Sequence, residues 1–264
     1  MSRIAPADVH GVLGRHLLID GFDFVLDLER SRGARLRDAR SGRTFLDFFS
    51  FFASAPVGMN HPKMADARFR EKLLRAALTK VSNSDVYTVE MAEFVDTFSR
   101  VAIPPDLPHA FFVEGGTLGV ENAIKAAFDW KVRRNLARGL GEKGTQVIHF
   151  EQAFHGRGGY TLSMTNTADP NKTKYYPKFA WPRIESPKLR FPAEGARLEE
   201  TVAAEGRAVR AIEEAFRANP GDIAAILIEP IQGEGGDNHF RPEFFRELRR
   251  LAENARVLRH AYRT

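Results

Sequence analysis

Three glycine-bearing clusters in the chain hold side chains able to do chemistry. The first is Phe111-Phe112-Val113-Glu114-Gly115-Gly116-Thr117-Leu118-Gly119-Val120-Glu121-Asn122-Ala123-Ile124-Lys125, an apolar strand-like run that meets glycines and passes directly into a helical pattern. Such a turn presents the backbone N–H groups of Gly116 and Thr117, with the threonine hydroxyl, at the positive end of a helix, which suits a phosphate. The spacing matches neither the dinucleotide fingerprint nor the P-loop, since no G-x-G-x-x-G and no Gly-Lys-Ser/Thr follows the run. An ordinary tight strand-to-helix turn accounts for these residues equally well.

The second cluster, Glu151-Gln152-Ala153-Phe154-His155-Gly156-Arg157-Gly158-Gly159-Tyr160, follows another apolar run, where ligands of open α/β sheets tend to sit. Phe154 can stack on a planar ring, His155 and Arg157 can contact anions, and the glycines admit close backbone approach. Taken alone, a satisfied histidine and a surface arginine in a glycine-rich loop is the simpler reading. The third cluster is Ile228-Glu229-Pro230-Ile231-Gln232-Gly233-Glu234-Gly235-Gly236. Glu229 and Glu234 there can serve acid–base work, metal binding or recognition of a cationic substrate. With no histidine close in sequence, charge pairing is favoured over a metal, and solvated acids in a glycine-rich loop remain the plain alternative.

The elements that must position these clusters follow from periodicity. Leu36 to Phe48 reads as a hairpin around Ser41-Gly42. Residues 63 to 102 are helical, with Leu73, Leu74, Ala77 and Leu78 on one face and Met91, Phe94, Val95 and Phe98 on another; Ser82-Asn83-Ser84-Asp85 breaks them. Beyond Pro104-Pro105, short apolar runs alternate with helices: Ala110–Val113, a helix from Val120 to about Arg138, Gln146–Phe150, a helix around Val209, Ile212 and Phe216, then Ile223–Ile228. That alternation predicts a parallel sheet covered on both faces. Thr165 to about Ala196 has no periodicity and reads as a long surface excursion. Pro242 begins a last helix, with Phe244, Phe245, Leu248 and Leu251 on its buried face. A strand should follow, yet Asn254 to Thr264 is basic, has no continuous apolar core, and predicts none.

A chain of 264 residues with 43% hydrophobic residues can bury a sizeable core. No stretch approaches the roughly 18 uninterrupted apolar residues of a membrane helix, and the first residues lack a signal-peptide core, so the expected location is the cytoplasm with no membrane partner. The absence of cysteine removes thiolate metal sites, thiol nucleophiles and iron–sulfur clusters. A net charge of +5 invites a nucleic-acid reading, but arginines alternate with acids through most of the chain, so a solvated surface with no nucleic-acid partner is expected.

Taken in order, the clusters resemble class-III aminotransferases, fold-type I enzymes that carry pyridoxal phosphate. Leu46-Asp47-Phe48 and Gly58-Met59-Asn60-His61-Pro62 look like the family's N-terminal signature, and the wording of all three clusters, of His10 to Arg30 and of Ser82 to Tyr87 is closest to its lysine 6-aminotransferase branch. The resemblance implies a mostly parallel α/β large domain, incomplete, over residues 63–264, and the N-terminal segment of a small domain over residues 1–62. It implies that Gly116 and Thr117 hold the cofactor phosphate, that Phe154 and His155 lie against the cofactor, and that Arg157, Glu229 and Glu234 face the substrate. Arg157 would take a carboxylate, and Glu234 would pair with a movable arginine from the small domain. The family reaction moves the terminal amino group of L-lysine to 2-oxoglutarate, normally in a homodimer.

Departures from the family pattern accompany the resemblance. No Asp-Glu-x-x-x-Gly strand, whose aspartate would hold the pyridine nitrogen protonated, follows the last helix, and no lysine occurs after Lys188, so the Schiff-base lysine has no match. The sequence therefore predicts a truncated chain without a catalytic residue of its own and without activity. The alternative is a catalytically dead, cofactor-binding or regulatory homologue that associates with a full-length enzyme. The resemblance also implies that burial of Ile223–Ile228 depends on segments beyond residue 264.

Overall fold

A computed structural model describes residues 4–78 and 86–261. The polar break at Ser82-Asn83-Ser84-Asp85 and the terminal Tyr262-Arg263-Thr264 lie outside the described residues. The chain forms two compact units, Met1–Ala110 and Phe111–Thr264. These units are divided by contact, whereas the expected boundary at 62/63 is one between family domains.

The first unit contains α1 (Val9–Leu13), the antiparallel strands β1 (Arg35–Arg37) and β2 (Thr44–Leu46), a four-residue turn α2 (Ser50–Ala53), α3 (Ala67–Leu78) and α4 (Val89–Val101). The expected hairpin is present, with Leu36 opposite Phe45. Its connection is fixed by the Asp38 carboxylate, which accepts from the N–H groups of Val25, Arg40 and Ser41 and from the Ser41 hydroxyl. These bonds, the Ser41 hydroxyl first, hold Asp38 well below the usual carboxylate range. Gly42 follows at φ +71°, in the left-handed region glycine enters freely. Thr88 caps α4, its Oγ1 accepting from the Met91 N–H at 3.1 Å.

The second unit is an α/β sandwich. In chain order it comprises α5 (Gly116–Leu136), β3 (Gln146–Phe150), α6 (Gly159–Met164), β4 (Arg183–Ile184), α7 (Gly195–Ala218), β5 (Ile223–Ile228), the small ladder of β6 (Ile231–Gln232) and β7 (Asn238–His239), α8 (Pro242–Ala255) and β8 (Leu258–Ala261). The sheet runs β4-β3-β5-β8, all parallel. One face packs under α7 and α8 through Ile212, Ile226, Ile228, Phe244 and Leu248; the other packs under α5 through Val120, Ile124, Val147, Ala225 and Leu227. The buried positions of α5 recur at Val120, Ile124, Ala127, Lys131 and Asn135, a single stripe at helical spacing.

Four expectations are corrected. A strand does follow the last helix: α8 closes on Arg256 in the left-handed conformation, and β8 pairs with β5 from Ala225–Leu258 to Ile228–Ala261. Pairing needs backbone N–H and C=O groups rather than apolar side chains, so a basic sequence does not forbid it. Second, all six residues of β5 are buried by segments within the described residues. Third, the excursion from Thr165 is not wholly on the surface, because β4 within it pairs with β3 and buries Ile184. Last, Ala110–Val113 is not a strand; Phe111 is 76% exposed, and the run has no ladder partner among the described residues. Apolar composition alone does not make a strand where no neighbour offers hydrogen bonds.

Candidate functional site

The first cluster turns at Gly115, φ +87°, and α5 starts at the next residue with no side-chain cap. The first N–H groups of α5, those of Gly116, Thr117 and Leu118, thus lack intrahelical partners at its positive end. No heavy atom lies within 4 Å of where a Cβ on Gly115 or Gly116 would stand, so the helix end faces open space. Thr117 is one helical turn from Glu121. The Glu121 carboxylate accepts from the N–H groups of Tyr160 (3.2 Å) and Thr161 (2.8 Å), tying α5 to the start of α6. Sequence reasoning passed over Glu121, although its i, i+4 relation to Thr117 was a usable signal.

The second cluster folds onto this helix end. Gly156 has φ +126°, and a Cβ there would come within 2.5 Å of Thr117 Oγ1. Thr165 holds the loop in place: its hydroxyl accepts from the His155 N–H at 3.0 Å and donates to the Gly156 carbonyl at 2.7 Å. His155 is buried, Phe154 half-buried and Arg157 exposed. His149, at the end of β3, is also buried; burial, then Arg183 and His155, push its imidazole down to about 3, so it stays neutral.

The third cluster joins the second at several points. Glu229, 3% exposed, accepts from the Phe154 N–H at 3.0 Å. Burial pushes its carboxyl up to about 7, the Phe154 N–H opposes this, and Glu234 adds repulsion. Glu229 therefore changes protonation near neutral pH. Gln232 donates to the Glu151 carbonyl and accepts from Ser186 and Asn238, while Asn238 also donates to Gln152 Oε1. Gly235 lies so close to the Gln152 carbonyl that a Cβ would stand 2.0 Å from it. Glu234 pairs with Lys172 Nζ at 2.9 Å, and that ammonium stands 5.9 Å from the Phe154 ring centroid. Lys172, Thr165 and Glu121 are site residues that motif reading missed. Among the described residues no cluster of three or more His, Asp or Glu side chains is arranged to hold a metal ion.

All seven residues singled out from sequence (Gly116, Thr117, Phe154, His155, Arg157, Glu229 and Glu234) thus lie at the start of α5 or on the loops that follow β3 and β5, which contact one another at the same end of the sheet. An uncapped helix N-terminus facing open space, with an aromatic ring on the adjoining loop, fits a phosphate-bearing planar cofactor. The parallel sheet with helices on both faces is the fold of the fold-type I pyridoxal-phosphate aminotransferases. Residues 20–259 match the family Aminotransferase class-III, and the chain belongs to it.

The chain is 56% identical over 250 residues to the L-lysine-epsilon aminotransferase of Mycobacterium tuberculosis (strain ATCC 25618 / H37Rv), covering 94% of this chain and 55% of that protein. It is 55% identical to that of Amycolatopsis lactamdurans over 92% of this chain and 54% of the relative. The solved lysine aminotransferase from M. tuberculosis superposes with a TM-score of 0.93 at 54% identity, over 98% of this chain and 59% of that one. An omega-transaminase from Thermomicrobium roseum, at 23% identity and a TM-score of 0.79, shares the fold. The chain spans about 55% of the length of these curated relatives. Among the described residues no helix is long and apolar enough to cross a membrane.

Proposed function

We propose that the chain carries the phosphate-holding and ring-stacking part of an L-lysine 6-aminotransferase site, whose whole enzyme transfers the terminal amino group of L-lysine to 2-oxoglutarate. The observation that carries this reading is the seating of Gly156 against Thr117, which joins the helix end to the loop of Phe154. The 56% identity to L-lysine-epsilon aminotransferases favours lysine as the amino donor. The N–H groups of Gly116 and Thr117 hold the phosphate, Phe154 stacks on the ring, and His155 packs beneath the loop. Arg157 takes a substrate carboxylate. Glu229 holds or releases a proton beside the ring near neutral pH, and Glu234 meets a cationic group. When bound, pyridoxal phosphate supplies the electron sink for cleaving bonds next to the substrate nitrogen. Residues 1–62 belong, in this reading, to a small domain and residues 63–264 to the large one.

No lysine follows Lys188, and none of the chain's lysines lies in the family's cofactor-bonding motif. Covalent attachment of the cofactor needs such a lysine, so these 264 residues alone turn over no lysine. The test is borohydride reduction of the purified chain with pyridoxal phosphate, followed by peptide mass analysis and an assay with lysine and 2-oxoglutarate. The reading expects no specific lysine adduct and no turnover above background. A stoichiometric adduct on one lysine, or measurable turnover free of full-length enzyme, overturns it.

A further inference from the structure

The opposite end of the sheet holds a second cavity, of about 270 Å³, whose lining includes Lys131, Arg138, Leu140, Phe216, Ile223 and Val257. Ile223 opens β5, whereas Glu229 follows its last residue. Along α5, a rise of about 1.5 Å per residue sets Lys131 roughly 22 Å from Gly116. The cavity is thus separate from the candidate cofactor site.

Lys131 is only 6% exposed, yet among the described residues its ammonium has no ion pair and donates to the Arg256 carbonyl alone, at 3.1 Å. Its stem is pinned by Gly144, φ +121°, where an added Cβ would stand 2.9 Å from the lysine Cβ. No acidic side chain lines the cavity. The neighbouring Asp222 is taken up by the N–H groups of Gly144 and Thr145 and by the Gln146 amide. The amide donors of the wall are also committed, Asn135 to the Lys143 and Gly221 carbonyls and Asn219 to that of Ala215. Burial first, then Arg134 and Arg138, push the Lys131 ammonium below its ordinary range. A buried ammonium without an anion is costly, and an entering carboxylate offsets that cost. Leu140, Phe216, Ile223 and Val257 make the rest of the wall apolar, so its complement is a carboxylate with a hydrocarbon tail rather than a compact anion.

We propose that this cavity is a second ligand site, which takes a small monocarboxylate with an apolar tail. Lys131 pairs with the carboxylate inside, Arg138 adds charge at the mouth, and the tail lies against Phe216 and Val257.

Calorimetric titration of the 264-residue chain with hexanoate, hexan-1-ol and inorganic phosphate tests it. Hexanoate should bind wild type at millimolar concentration or below, and more tightly than either of the other two. Loss of the buried ion pair in Lys131→Met should weaken hexanoate roughly tenfold or more and leave hexan-1-ol unchanged. Arg138→Glu, a change on an exposed side chain that the fold tolerates, should also weaken hexanoate, by roughly threefold or more. Arg157→Ala should leave hexanoate binding intact, which separates this cavity from the candidate substrate site. The proposal is overturned if wild type fails to bind hexanoate at about 10 mM, or if Arg138→Glu and Lys131→Met both leave its affinity unaffected. Hexan-1-ol or phosphate binding as tightly as hexanoate would also overturn it, by making the cavity a plain apolar pocket or a plain cation. Loss of hexanoate binding in Arg157→Ala would overturn it too, by moving the ligand to the other end of the sheet.

Discussion

The two compact units are held together internally by different forces. In the second, both faces of the sheet are covered, and large side chains such as Phe150, Ile226, Phe244 and Leu248 are fully buried. In the first, Leu36 is the one buried hydrophobic side chain among the described residues, and neither α3 nor α4 buries a residue. Leu73, Leu74 and Phe94 are at least half exposed. Order in the first unit comes instead from polar ties such as those of Asp38 and from ring contacts among Phe22, Phe24, Phe45 and Phe49. Burial of apolar surface is the dominant stabilising term in folding, so the second unit should carry most of the stability. The seven candidate site residues are all on that unit.

The largest expected effect follows from this contrast. Leu248→Ala opens a cavity between α8 and the sheet and should cost about 2–5 kcal/mol, read from urea denaturation. A loss no greater than that of an exposed leucine would show that the sheet is not the stable core. Next comes Gly156→Ala, which forces a side chain into a left-handed position and against Thr117. It should cost about 1–3 kcal/mol and separate the loop from α5; a neutral substitution would mean that the two clusters are not seated together.

Glu229 gives a smaller effect that depends on pH. Its folded carboxyl is raised to about 7, chiefly by burial, so its contribution to stability is fully present below about pH 4.5 and is lost as pH rises through 7. His149 acts in the opposite sense: its folded imidazole is lowered, so its contribution is lost as pH falls from 6.5 towards 3. Subtracting the stability of Glu229→Gln from that of wild type isolates the glutamate. The difference should move against wild type from pH 4.5 to 8, and a flat difference would refute a protonated buried Glu229. The smallest effect is expected in the first unit, where Leu74→Gln on the exposed face of α3 should stay within about 0.5 kcal/mol of wild type.

Legibility of the sequence divides along the same line. β3, β5, α5, α7 and α8 were readable because their apolar spacing records what they bury, as with Phe244, Leu248 and Leu251 on α8. The apolar faces of α3 and α4 were equally readable, but spacing does not say whether a partner covers them. β8 escaped because backbone hydrogen bonding leaves little trace in side-chain pattern, and β4 because two paired residues are too few to show a period. The glycine clusters pointed to the site: Gly156 is required by its positive φ and its approach to Thr117, and Gly235 by its approach to the Gln152 carbonyl. The Lys172–Glu234 pair spans 62 positions in sequence and lies in no shared motif, so only the fold reveals it.

The central claim is that the uncapped start of α5 holds the phosphate of pyridoxal phosphate without a covalent bond from this chain. Titrating wild type and Gly116→Asp with the cofactor, followed by absorbance, tests it most directly, because a carboxylate at that position repels the phosphate while Gly116 has open space for a side chain. The account predicts a wild-type Kd that is micromolar or weaker, as a few charge-assisted hydrogen bonds and one stacked ring allow, and a loss of roughly tenfold or more in the variant. Nanomolar binding that survives Gly116→Asp would contradict it.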